Sequence, residues 1–201
     1  MAAARGGTEP PYDGVAELWW ESADALAAAS GTAEGRRAGA ELLADEAEFI
    51  DLPQSPLWLA YEYPQVNPLP EGTLARVKSP IVKLHYPLRH PAGMTLDEAQ
   101  RYWRTSHGPL VRSMATAGGT IRYQQVHRFE SPFEAALREA RGTTVEPYTG
   151  HAEAWFDRTR RGSSPEAKEA NRRAIEDEAH FIDFARSAIW IGKEHLLIDR
   201  W

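Results

Sequence analysis

Several short stretches of the chain alternate between apolar and polar residues, and helical spacing connects them. From Gly14 to Trp20 (GVAELWW), Ala16, Leu18 and Trp20 point one way and Val15, Glu17 and Trp19 the other, which predicts a strand. Alanine-rich helical sequence follows from Ala23, is interrupted at Gly31 and Gly35, and resumes to about Asp51. Pro53 and Pro56 stop it, and Leu57 to Tyr63 (LWLAYEY) predicts the next strand. Pro64 to Pro80, with four prolines and a glycine, reads as a linker. Ile81 to Pro87 then puts Val82, Leu84 and Tyr86 on one face, and Lys83 and His85 on the other. Thr95 to Glu98 is a capping box opening a helix through Ala99, Tyr102, Trp103 and Ser106. Gly108-Pro109 is expected to interrupt that helix before a further turn or two to Gly118. Thr120 to Phe129 reads as extended, but neither of its faces is cleanly apolar. A strand beginning at Gly150 puts Ala152, Ala154 and Phe156 on one face, and His151, Glu153 and Trp155 on the other. Ser164-Pro165 starts a helix running to about Phe184, and a strand from Ile189 to about Leu197 closes the pattern.

Part of this pattern occurs twice. RGGTEPPYDGVAELW (Arg5 to Trp19) recurs as RGTTVEPYTGHAEAW (Arg141 to Trp155), and LADEAEFIDLPQSPLWLAYE (Leu43 to Glu62) as IEDEAHFIDFARSAIWIGKE (Ile175 to Glu194). Self-similarity on this scale marks a duplicated supersecondary unit. The segment from about Ser79 to Phe129 occurs once, before the second copy, so the order is back half, front half, back half. That order leads us to expect that a front half once paired with the first copy was lost, or that one precedes Met1. The boundaries follow: an N-terminal βαβ half-repeat over 1–68, a linker over 69–80 and a complete domain over 81–201.

Three strand–helix–strand units predict an α+β fold. The last two give βαββαβ, a ferredoxin-like antiparallel sheet with helices on one face. The bare face needs a cover, and a second sheet from the extra half-repeat or from another chain would enclose a cavity. An uncovered face rich in Trp and Tyr is avoided by soluble monomers, which makes a two-fold homodimer the expected assembly.

Composition narrows the function. At 201 residues and a formal charge of −6, the chain lacks the basic footprint of a nucleic-acid binder. It has no cysteine, no apolar leader and no membrane-length run, so a cytoplasmic protein without thiolate metal sites is expected. Seven tryptophans and seven tyrosines fill a core or line a pocket for an organic ligand. Five of the seven histidines lie between His85 and His151, but none has metal-binding helical spacing, so no metal is expected. Asp45-Glu46 and Asp177-Glu178 read as surface or interface salt bridges.

LRHPAGMTLDEAQRYWRTSHGPLV (Leu88 to Val111) resembles the front half of an EthD-type domain. The family's arginine after the first strand corresponds to Arg89, its aromatic-Trp pair to Tyr102-Trp103, and its His-Gly-Pro-Leu to His107 through Leu110. DEAHFID and the glutamate of the last strand are similar to its back half. The resemblance covers about Ile81 to Leu197, and Pro11 to Glu62 as an isolated back half. It implies a dimeric α/β barrel, a group whose members include monooxygenases, decarboxylases and cyclases, some acting on polyketide-like aromatics.

His107 shares the buried stripe of its helix with Leu96 and Trp103. Its ring either caps the carbonyls of the last turn and packs on Trp103, or presents a nitrogen to the cavity as a general acid or base. Alternation places Lys83, His85, His151, Glu153, Trp155, Trp190 and Glu194 on the cavity face. Tyr123, Gln125 and His127 join them, because the other face of that strand carries Arg122 and Arg128. The expected catalytic residues are His107, His85, His127 and Tyr123. Lys83, Trp103, Glu153, Trp155 and Trp190 are the expected substrate contacts. Glu153 and Trp155 recur as Glu17 and Trp19, where the histidine segment is missing, which leaves an architectural role open for them. The expected function is a cofactor-independent dehydratase, decarboxylase or cyclase acting on an aromatic or polyketide-like molecule. A cofactor-free oxidoreductase and a non-catalytic binding or accessory protein for a monooxygenase remain as alternatives. Convergence of His85, His107 and His127 on one cavity would favour the enzyme, and their dispersal the carrier.

Overall fold

The computed structural model describes residues 1–66, 75–159 and 164–198. Its strands are β1 (Leu59–Val66), β2 (Ile81–Leu88), β3 (Thr120–Phe129), β4 (Gly150–Asp157) and β5 (Trp190–Gly192). They form one sheet in the order β1-β3-β4-β2-β5, with β2 antiparallel to β4 and β5, and β3 antiparallel to β4. Strands β2 to β5 with their helices make the ferredoxin-like α+β arrangement. Among the described residues no second sheet faces the first.

Locally encoded helix starts form as the sequence dictates. Thr95 and Glu98 close the capping box of α3 (Leu96–Tyr102), and Ser164 Oγ accepts from Ala167 N at the start of α6 (Pro165–Glu178). The same Ser-Pro signal starts a helix that the apolar pattern does not reveal. Ser131 caps α5 (Pro132–Arg141). The alanine-rich region forms α1 (Ala23–Gly31) and α2 (Ala33–Glu46).

Gly108-Pro109 does not interrupt the third helix. The chain passes from α3 through a π-helical turn (Trp103–His107) into α4 (Gly108–Gly118). Proline lacks an N–H and crowds the preceding turn, and the wider turn accommodates it without ending the helix. A side chain at Gly108 would collide with Gln65 and Gln125, and one at Gly150 with the Val126 carbonyl and the Trp103 ring. These glycines let the histidine-bearing turn lie close against the sheet.

Gly14 to Trp20 forms no strand. Its counterpart β4 is hydrogen-bonded on one side to β2 and on the other to β3, and both neighbours come from the segment that occurs once. Alternation alone does not satisfy a strand's backbone groups. The last strand is also shorter than expected, and Ile191 within it is exposed.

The chain forms two compact units. The first contains Met1–Asp13, Ala60–Arg128 and Tyr148–Trp201, and the second Gly14–Leu59 and Phe129–Pro147. Each unit joins the amino-terminal arm of one repeat copy to the body of the other. In the first unit Arg5 holds Glu178 through two hydrogen bonds, of 2.6 and 2.8 Å. In the second unit the equivalent Arg141 holds the equivalent Glu46.

Candidate functional site

The core of the first unit lies between the helices and the sheet, around Tyr86, Leu88, Trp103, Tyr123, Phe181 and Ile189. A cavity of about 340 Å³ opens in this layer. Leu84, Tyr86, Ala152 and Ala154 form its floor on the sheet, and Ala167, Ala170 and Ala174 line it from α6. Small residues on both facing surfaces leave the space unfilled. Met1, Ala4 and Arg5 of the arm contribute to its wall.

His107 reaches this cavity from the π-helical turn. Its Nδ1 lies 2.7 Å from Asp177 Oδ2, and the other Asp177 oxygen accepts from Tyr102 OH at 2.9 Å. Burial acts to raise the Asp177 carboxyl. The hydrogen bonds from His107 and Tyr102, with the charges of His107 and His180, outweigh it and hold the group below the usual carboxylate range. Partial burial and the hydrogen bond to that carboxylate push Tyr102 up to about 12. Next along α6, Glu178 is buried, and burial raises its carboxyl against the opposing charges of Arg5 and His107.

Tyr123 also lines the cavity, accepting from Trp103 Nε1 at 2.7 Å and from Gln125 Nε2 at 3.3 Å. Burial raises its phenol well above the ordinary range, so it stays protonated. Tyr86 is likewise a buried, protonated phenol on the cavity wall beside the Arg5 guanidinium, and its hydroxyl makes no well-aligned hydrogen bond among the described residues. A buried polar atom left in this way suits a ligand oxygen.

Tyr123, Gln125 and His127 therefore share the helix-facing side of the sheet with Ala152 and Ala154, not the side with Lys83 and His85. Trp103 is the reason. Its indole N–H needs an acceptor, its carbonyl takes a hydrogen bond from Gln125, and its ring stacks on His127 at 4.5 Å. Polar side chains are buried there to satisfy one tryptophan. Burial, then the charge of Arg104, lowers His127 to about 4, which keeps it neutral near pH 7.

The opposite face of the sheet carries a second polar group. Lys83 Nζ pairs with Glu153 at 2.8 Å and lies 5.0 Å over the Trp155 ring. His85 Nδ1 lies 3.2 Å from His151 Nε2, and His85 stacks on Trp190 at 5.5 Å. Trp155 Nε1 donates to Glu194 Oε2 at 3.0 Å. Alternation groups these residues on one face, but the cavity opens on the other, so Lys83, His85, Glu153, Trp155 and Trp190 do not line it. His85, His107 and His127 do not converge: His107 lines the cavity, His127 backs Trp103, and His85 lies across the sheet.

Asp177, Glu178, Arg5 and Tyr86 complete the cavity wall and its supports, although sequence reading assigns Asp177-Glu178 to surface or interface pairs. A usable signal was present in the repeat, where an arginine and a glutamate recur together as Arg5/Glu46 and Arg141/Glu178. Arg89 does not enter the cavity. It binds Glu9 Oε2 at 3.0 Å and the Arg186 carbonyl at 2.6 Å, and covers the Tyr148 ring at 3.8 Å, fixing the arm.

An antiparallel sheet with a histidine-bearing helix over a cavity on its covered face places the protein in the ferredoxin-like α+β class. The EthD domain model matches residues 2–53 and 91–185, and the chain belongs to that family. No curated protein matches it. Among the described residues no helix is long and apolar enough to cross a membrane.

Proposed function

We propose that the protein is a small-molecule enzyme in which His107, oriented by Asp177, moves protons on an aromatic or polyketide-like substrate held in the cavity between helices and sheet. The observation that carries this reading is the 2.7 Å His107–Asp177 contact at the wall of a mainly apolar cavity. A carboxylate on one imidazole nitrogen fixes the ring and leaves the other nitrogen for substrate, the arrangement of an oriented general base. In a dehydration, His107 would take the proton from a carbon beside a carbonyl, and a neutral phenol such as Tyr86 would hydrogen-bond the developing enolate oxygen. The imidazolium would return its proton to the departing hydroxyl, so that water leaves as the double bond forms. Decarboxylation and cyclisation use the same two roles.

The dispersal of the three histidines favours the second reading, a carrier or an accessory to a monooxygenase, for which the alanine-lined walls and the Tyr86 hydroxyl suffice. Two variants separate the readings. His107→Gln and Asp177→Asn are assayed for ligand binding by thermal shift, and for turnover by mass spectrometry, against hydroxylated polycyclic and linear polyketide-like compounds. The enzyme reading expects binding within a few-fold of wild type and turnover reduced by about 100-fold or more for His107→Gln, with a smaller loss for Asp177→Asn. Binding without turnover by the wild-type protein sinks catalysis and leaves the carrier.

A further inference from the structure

We propose that His85, His151 and Glu153, on the sheet face away from the His107 cavity, form a binding site for a divalent first-row transition-metal ion. Pairing of β2 with β4 sets His85 directly opposite Glu153, and His151 precedes Glu153 by two residues on the same face. Each of the three offers a ligand atom within 4.8 Å of the others, and all three are buried. The 3.2 Å between His85 Nδ1 and His151 Nε2 is close to the separation of about 3.3 Å that two imidazoles adopt on one tetrahedral ion at Zn–N distances near 2.0–2.1 Å. Two imidazoles and one carboxylate select zinc, cobalt or iron over calcium or magnesium, and leave at least one position for water or a ligand. The ligands stand on paired strands, so little order is lost when the ion enters. Helical spacing in the sequence gives no sign of the site, because it exists only once β2 and β4 are in register.

Lys83 competes with the metal. Its ammonium, 2.8 Å from Glu153, supplies the cation that balances this carboxylate in the metal-free chain. On metal binding, Glu153 is shared with or released from Lys83, which keeps its place over the Trp155 ring. The hydrogen shared by the two facing imidazole nitrogens must also move to the far nitrogen of its own ring, since both facing nitrogens need a lone pair for the ion.

The test is titration of the chelator-stripped full chain with Co²⁺ and Zn²⁺, following visible cobalt absorption and competition with a chromophoric chelator. One equivalent per chain is expected, with affinity reduced at least tenfold in His85→Ala and in His151→Ala, and unchanged in the exposed-site variant His180→Ala. Lys83→Met is expected to bind several-fold more tightly, because the competing charge is gone. Absence of stoichiometric binding, or binding indifferent to both His85→Ala and His151→Ala, overturns the proposal. If the alanine variants do not fold, Lys83→Met decides: tighter cobalt binding supports the site and unchanged binding overturns it. The readout is metal occupancy, so its failure and the failure of the His107 mechanism are separate results.

Discussion

The two repeat copies share residues but not surroundings. Phe181 is completely buried, whereas its counterpart Phe49 is 73% exposed. Trp155 is 2% exposed and Trp19 50%. No residue between Gly14 and Leu59 is buried, yet the equivalent body of the second copy supplies Phe181, Ile182 and Ile189 to the core. The difference comes from the segment that occurs once. Phe181 packs against the rings of Tyr102, Trp103 and His107, all from that segment. An apolar pattern is a capacity for burial, and it becomes a core only when a complementary surface is present.

The sharpest way to break this comparison is to truncate the equivalent phenylalanines. Phe181→Ala should cost about 3–5 kcal/mol in urea unfolding, and Phe49→Ala about 0.5 kcal/mol or less. Equal losses would mean that the first copy carries a core of its own.

The second contrast is electrostatic. Arg5–Glu178 is closed off from solvent and Arg141–Glu46 is more open. Arg5→Met should cost about 3 kcal/mol or more by leaving Glu178 buried and unpaired, and Arg141→Met about 1 kcal/mol or less. The first loss should be pH-dependent. Burial already raises the Glu178 carboxyl, and removing Arg5 raises it further. A raised carboxyl gives stability that is fully present below its unfolded value and is lost as pH rises through the folded one. Arg5→Met should therefore be least stable near neutrality and recover toward acid, as denaturant midpoints across pH would show.

The smallest effect tests where acid sensitivity resides. His127 belongs to the unrepeated segment, and its value near 4 lies below the ordinary 6.5. The unfolded chain then binds a proton that the folded chain refuses, so stability falls as pH drops from 6.5 toward 4, by at most about 3 kcal/mol. His127→Phe, which keeps a ring against Trp103, should flatten that slope. A slope unchanged by the substitution would place the acid sensitivity elsewhere.

Much of this was legible in the chain because it is local. The Thr95 and Ser164 caps need only neighbouring residues, and the faces of β2 and β4 follow from clean alternation of Val82, Leu84 and Tyr86 against Lys83 and His85. The misreadings share a cause. The face of β3 is set by the needs of Trp103, which lies 20 residues away from Tyr123 in the sequence. Gly14 to Trp20 has a strand's pattern but lacks flanking strands, and the His107–Asp177 contact spans 70 residues. Family resemblance points to His107, but only the packed α6 supplies its carboxylate.

The arm that carries Arg5 closes on a glutamate 173 positions further along the chain. During synthesis the arm has no docking surface until Glu178 of α6, 173 residues beyond Arg5, has cleared the ribosome. Closure is thus a late, long-range step whose entropic cost falls on the folding rate. Tags or fusions at the amino terminus should slow maturation more than equal additions after β5.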